Sequence, residues 1–195
     1  MTTHDQPIVI VPYRPTWPEE FRQVATPIRA ALGDRALRVD HIGSTSIPNL
    51  AAKDVIDVQV TVADLDPPQP IVETLTGLGY TWLDHITGDH IPPGSDIPPE
   101  RMRKIYFNRR NTLPQINLHV RMSGTPNQRY PLLFRDYLRA HPLAAAAYAE
   151  VKRQLAAHAP TDWDLYYDIK DPICDIIMAA ADDWATTVRW SPSNA

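Results

Sequence analysis

The sequence predicts an α/β (α+β) fold, a mixed α/β half followed by a C-terminal helical portion. Three observations predict it. The runs Val55–Val62 and Gln115–Met122 alternate apolar and polar side chains with the period of two that a strand imposes. Apolar residues at helical spacing precede and separate these runs. From Asn127 onward the pattern is helical alone.

Taken in order, Ile8–Val11 reads as a short strand stopped by Pro12. Thr16 and Glu19 have capping-box spacing at the head of a helix carrying Phe21, Val24, Ala25, Ile28, Ala31 and Leu32, with Gly33 as its stop. Ala36–Ile42 is an expected strand that delivers the chain to Gly43. In Val55–Val62, Ile56, Val58, Val60 and Val62 face one way, and Val55, Asp57, Gln59 and Thr61 the other. Asp64–Pro70 reads as a loop and Ile71–Leu78 as a helix ended by Gly79. Residues 81–100 form a long loop rich in Pro, Gly, Asp and His, with His85, Asp89 and His90 read as solvated. Arg103–Arg110 is a strand, and residues 109–114 make a hairpin-like link to Gln115–Met122. There Gln115, Asn117, His119 and Arg121 share the polar face. Helices are expected over Arg129–Ala140, restarted by Pro142, over Leu143–His158, after a cap at Thr161 or Asp162, and from Asp171-Pro172 through Trp184. One unit is expected, with a mixed core over about 8–125 and helices over about 126–190.

The 195 residues suffice to bury a real core. An apolar content of 44% and a charged content of 22% are those of an ordinary globule. A net charge of −4 supplies no global field for nucleic acid. The single cysteine, Cys174, cannot form an internal disulfide, which fits a reducing cytoplasm. Neither a signal peptide nor a membrane span is expected.

The chemistry-bearing stretch is His41–Val60. Gly43-Ser44-Thr45 is a glycine-hydroxyl turn whose amides suit phosphate oxygens. Asp57 on the following strand suits a divalent metal bridging those oxygens, with Gln59 two residues on as a weak, neutral ligand. His119 serves as third metal ligand or proton acceptor if its strand neighbours that of Asp57. Lys53 can neutralise phosphate charge. Arg135 and Arg139, four apart on one helix face, can clamp an anion, with pairing to Asp136 the alternative. Arg101, Arg103, Lys104, Arg109 and Arg110 make a second basic cluster.

The sequence resembles the GrpB family, whose members look like nucleotidyltransferases of the DNA-polymerase-beta type, and the resemblance implies a nucleotidyltransferase-like mixed β-sheet flanked by helices. The resemblance rests on VPYRPTWPEEF at 11–21, DHIGSTSIPNLAAKDVIDVQV at 40–60, INLHV at 116–120 and LLFRDYLRAHP at 132–142, with weaker likeness through Tyr148, Lys152 and Lys170-Asp171-Pro172. It implies that Gly43 and Ser44 hold a triphosphate, that Asp57 is the first metal-binding carboxylate, and that Gln59 and His119 fall at or near the second and third. Two of those three positions are not acidic here. The implied activity is nucleotidyl transfer with Mg2+ or Mn2+. The alternative is a non-catalytic module binding a nucleotide, coenzyme A or a partner at a degenerate metal site. The family is also similar to a domain fused to dephospho-coenzyme A kinase. No Walker-type glycine loop with lysine occurs here, so that kinase activity is not expected of this chain.

Overall fold

Residues 6–192 are described in a computed structural model. Helix α1 (Trp17–Leu32) has proline in its first turn, Glu19 and Glu20 near its positive N-terminus, and Trp17, Val24, Ile28 and Leu32 buried on one stripe. The expected capping box does not form. Thr16 is itself helical, its hydroxyl donates to Glu20 at 2.7 Å, and Glu19 turns to Arg22 and Gln23 instead.

Strands β1 (Arg38–Ile42), β2 (Val55–Val62), β3 (Thr81–Trp82), β4 (Lys104–Arg109) and β5 (Gln115–Met122) form one sheet in the order β1-β2-β5-β4-β3. The central β2–β5 pair is parallel and every other pair antiparallel. The strand expected at Ile8–Val11 reduces to a single bridge between Val11 and Ala52. Helix α2 (Gln69–Gly77) lies with α1 on the apolar face. There Ile56, Val58, Val60, Phe107, Ile116, Leu118 and Val120 are fully buried. Each such side chain stabilises the fold by about 1.5–3 kcal/mol relative to exposure.

Helices α3 (Pro126–Ala140), α4 (Pro142–His158) and α5 (Trp163–Val188) form a second core with Ile47, Leu50 and Ala51 after the glycine-hydroxyl turn. Asp162 caps α5 by accepting from the Leu165 amide at 2.9 Å. No new helix starts at Asp171-Pro172, because α5 runs through Pro172 as one element. Tyr166, Cys174, Met178, Ala181 and Ala185 are buried at helical spacing on both sides of the proline. Their packing outweighs the lost hydrogen bond and the kink that proline favours. Among the described residues no helix is long and apolar enough to cross a membrane.

The sheet's other face carries Asp40, Asp57, Gln59, Thr61, Lys104, Tyr106, Asn117, His119 and Arg121. Register places Asp57 beside Asn117, Gln59 beside His119 and Thr61 beside Arg121, so these side chains share a face. Asp57 and His119 therefore point to the same side.

Candidate functional site

Gly43 has φ +69°, a backbone that favours glycine, and a Cβ there would stand 2.2 Å from Asp57 Oδ2. The turn after it is held from within and from behind. Ser46 Oγ donates to Gly43 O at 2.6 Å, and the buried Thr45 hydroxyl donates to Val55 O at 3.3 Å and meets His41 Nε2 at 3.0 Å. Thr45 is thus a brace of the turn. Arg135 Nη1 donates to His41 O at 3.0 Å, and Arg139 Nε and Nη2 donate to Ser46 O at 3.1 and 2.7 Å. The arginine pair expected to clamp a ligand anion is instead spent on backbone carbonyls and on Asp136, with Arg135 itself buried. Gly43 and Ser44 stay half-buried.

Lys152 of α4, absent from the sequence-based site, reaches this turn. Its Nζ donates to Ser44 Oγ at 2.9 Å and Ala51 O at 2.7 Å, and lies 4.6 Å from the Tyr148 ring centre. Burial lowers its pKa to about 7, and the positive charges of Lys170, Lys53 and Arg153 act in the same direction. Its position 108 residues from Ser44 left no local signal.

On the sheet, Asp57 Oδ1 accepts from Asn117 Nδ2 at 2.6 Å. Asn117 Oδ1 accepts in turn from Tyr106 Oη at 2.7 Å and Arg110 Nη2 at 2.5 Å. Arg110 Nη1 is buried without a hydrogen-bond partner among the described residues. Burial raises the pKa of Asp57, and the Asn117 hydrogen bond and the charges of Lys53, Arg110 and Lys170 oppose that rise. Lys53 is half-buried, its Nζ donating to Tyr167 Oη at 3.3 Å. Asp54 is turned away, accepting from Trp17 Nε1 at 2.8 Å and from Arg14.

The positions after Asp57 are already occupied by protein partners. Gln59 is fully buried, donating to Gln128 O at 2.9 Å and accepting from Arg121 Nη1 at 2.7 Å. His119 Nδ1 lies 3.1 Å from Arg121 Nη2. A guanidinium can only donate, so the ring proton sits on Nε2. Burial and the charges of Arg121 and Lys104 keep His119 neutral against the pull of Asp89. Gln59 and His119 as placed therefore do not complete a resident metal cage around Asp57. Among the described residues no group of three His, Cys, Asp or Glu gathers for a metal.

Asp89 is the carboxylate that the loop reading passed over. It accepts from Lys104 Nζ at 2.7 Å, Arg121 Nε and Nη2 at 2.8 and 2.9 Å, and Asn127 Nδ2 at 2.9 Å. Burial alone would raise its pKa, but Arg121 and Lys104 hold it well below the usual carboxylate range. His90 Nε2 meets Asp175 Oδ2 at 2.9 Å. The segment read as solvated is thus anchored to β4, β5, α3 and α5. A cavity of about 190 Å3 lies beside it, walled by Asp89, Arg121, Lys170 and Cys174. The basic run 101–110 disperses by alternation: Arg103 pairs with Asp66, Lys104 with Asp89, and Arg109 covers Tyr80.

Known proteins resemble this chain along most of its length. A dephospho-CoA kinase of Mycolicibacterium paratuberculosis is 38% identical over 199 residues, spanning 95% of this chain and 49% of the relative. The chain thus spans about half the length of such kinases. A UPF0157 protein of Halalkalibacterium halodurans is 36% identical over 185 residues, 91% of this chain and 84% of the relative. The crystal structure of the conserved protein GrpB from Enterococcus faecalis superposes with a TM-score of 0.73 at 30% identity, covering 89% of this chain and 96% of that one. The family model described as GrpB protein matches residues 7–180, and this chain belongs to that family.

Proposed function

We propose that the polar sheet face around Asp57 and Arg110, beside Lys53 and the start of α5, forms a cleft that binds the phosphate groups of a nucleotide or a related phosphorylated small molecule. The carrying observation is Arg110 Nη1, a buried cationic donor with no acceptor among the described residues. Leaving such a donor unsatisfied is costly, and a phosphate oxygen satisfies it with a charge-assisted bond. The charges of Lys53, Arg110 and Lys170 all act on Asp57, and Lys152 sits under Ser44. On this reading Ser44, Lys53, Lys152, Lys170 and Arg110 meet the phosphates. Gly43 lets the turn approach Asp57, and Arg135 and Arg139 position the turn. The name of the kinase relatives adds coenzyme A and its dephospho form to the ligands worth testing.

A second reading is nucleotidyl transfer assisted by Mg2+ or Mn2+, with Asp57 as the one protein carboxylate on an ion that arrives with the phosphates. The close approach of Asp57 Oδ2 to Gly43 favours it, because it sets an acidic group against the turn. In both readings His119 supports Arg121 and Gln59 braces α3.

A thermal-shift screen of nucleotides, coenzyme A and dephospho-coenzyme A, each with and without Mg2+ or Mn2+, tests the proposal. A specific ligand at about 100 times its Kd adds about 2.7 kcal/mol to stability. No shift with any phosphorylated compound would sink both readings. A shift requiring the ion, with a nucleotidylated product on an acceptor, would favour the second.

A further inference from the structure

The first two turns of α5 place three aromatic rings around one ammonium group. Lys53 Nζ lies 4.8 Å from the Trp163 ring centre, 5.1 Å from that of Tyr166 and 5.2 Å from that of Tyr167. Tyr166 and Tyr167 meet edge to face, with centres 5.6 Å apart and planes at 86°. Trp163 is steadied by its Nε1, which donates to Gln6 O at 3.0 Å. Tyr166 is 1% exposed, whereas Tyr167 keeps 37% of its surface open. A buried anchor ring beside an open one makes a platform, not a closed core.

The platform adjoins the phosphate cleft through Lys53, which precedes β2 and acts on Asp57. A cation over a ring gains about 0.5–1 kcal/mol at a partly exposed site. A charge-assisted bond to phosphate is stronger. Among the described residues Lys53 is held by these rings and the Tyr167 hydroxyl, contacts that a phosphate can replace.

We infer that the open side of Tyr167 receives a planar heteroaromatic group of the ligand, and that Lys53, seated at the Tyr167 hydroxyl, is drawn away by the ligand's phosphates. This inference rests on the proposed phosphate cleft and narrows its ligand class. A nucleoside polyphosphate or another base-bearing phosphate fits. A sugar phosphate or bare polyphosphate uses only half of the site. The rings are sequence-tolerant, since every base has a flat face, so the platform selects for a base and not for which base.

The test compares inorganic tripolyphosphate with the four ribonucleoside triphosphates by calorimetry, using the full chain. The wild type is expected to bind at least one triphosphate about tenfold or more tightly than tripolyphosphate. Tyr167→Leu is expected to remove that advantage while leaving tripolyphosphate affinity within about twofold, and Tyr167→Phe to keep it. Circular dichroism and the retained tripolyphosphate binding establish that the variants fold. Lys53→Met is expected to weaken both ligand types. Equal affinities of tripolyphosphate and the triphosphates in the wild type would overturn the ring platform and leave the phosphate cleft standing. So would a Tyr167→Leu variant that keeps the full advantage. Failure of every phosphate compound to bind would overturn the cleft and the platform together.

Discussion

Asp57 Oδ2 occupies the space that a side chain on Gly43 would fill: a Cβ there would stand 2.2 Å away, and the backbone φ is +69°. Turn and strand are therefore fitted to each other, and the contact can be divided experimentally. Gly43→Ala is expected to cost roughly 3 kcal/mol or more, from about 1–3 kcal/mol of left-handed backbone strain plus the clash. In an Asp57→Gly background only the backbone part should remain. Chemical denaturation of the four proteins in that cycle measures the coupling, and purely additive losses would contradict the fit.

Asp57→Asn separates the two functional readings. Burial raises the folded-state pKa of Asp57. The folded protein thus holds this proton more tightly than the unfolded chain, and stability falls as pH rises from the unfolded value, near 3.9, through the raised one. Removing the charge should remove that fall, a gain of about 1.4 kcal/mol per unit of elevation at neutral pH. On the binding reading the variant keeps or improves metal-free phosphate affinity. On the transfer reading it loses ion-dependent binding. Calorimetry with and without Mg2+ decides between them.

On the proposed phosphate reading, Lys152 is expected to make anion affinity depend on pH. With its pKa lowered to about 7, it is largely protonated at pH 6 and largely neutral at pH 8. Phosphate binding favours the protonated form, so affinity is expected to fall as pH rises through 7, by up to about tenfold per unit. Lys152→Gln should flatten this dependence between pH 7 and 9. A profile unchanged by the substitution would remove Lys152 from the site.

His41 should make the fold acid-sensitive. It is buried, stacked on Phe21 at 4.7 Å, and its pKa is lowered to about 3 by burial and by the charges of Arg139 and Arg135. The unfolded chain binds the proton first, so stability is expected to drop as pH falls from about 6.5 towards 3. The total is on the order of 5 kcal/mol. His41→Gln should abolish that part of the slope in urea denaturation series run at pH 7, 5 and 4.

Asp89→Ala should be among the most destabilising single changes. It strips Lys104, Arg121 and Asn127 of their shared acceptor. Breaking a buried ion pair costs about 3–5 kcal/mol, because the remaining charge is left uncompensated. Hydrogen exchange should show residues 84–102 loosening from the sheet. A variant as stable as the parent would show that the cluster contributes nothing net.

Strands β2 and β5 were legible because alternation is a local property, and their bounds match the expected ones residue for residue. The shared face of Asp57, Asn117, Gln59 and His119 followed once the strands were known to be parallel neighbours. The capping box at Thr16 failed because Arg22 and Gln23 lie within helical reach of Glu19 and compete for it. The helix start expected at Pro172 failed because a buried stripe on both sides of a proline can outweigh its local preference.

The sequence by itself determined the alternating strands β2 and β5, the helical second half and the glycine at the turn, since each depends on neighbours a few residues away. Only the tertiary structure decided what the charged side chains do. It turned Arg135 and Arg139 onto the carbonyls of His41 and Ser46, closed Gln59 and His119 around Arg121, drew Asp89 into the sheet, and brought Lys152 beneath Ser44. Partners so far apart in the chain are chosen by the need to satisfy each buried charge at its final position, and no local spacing encodes that.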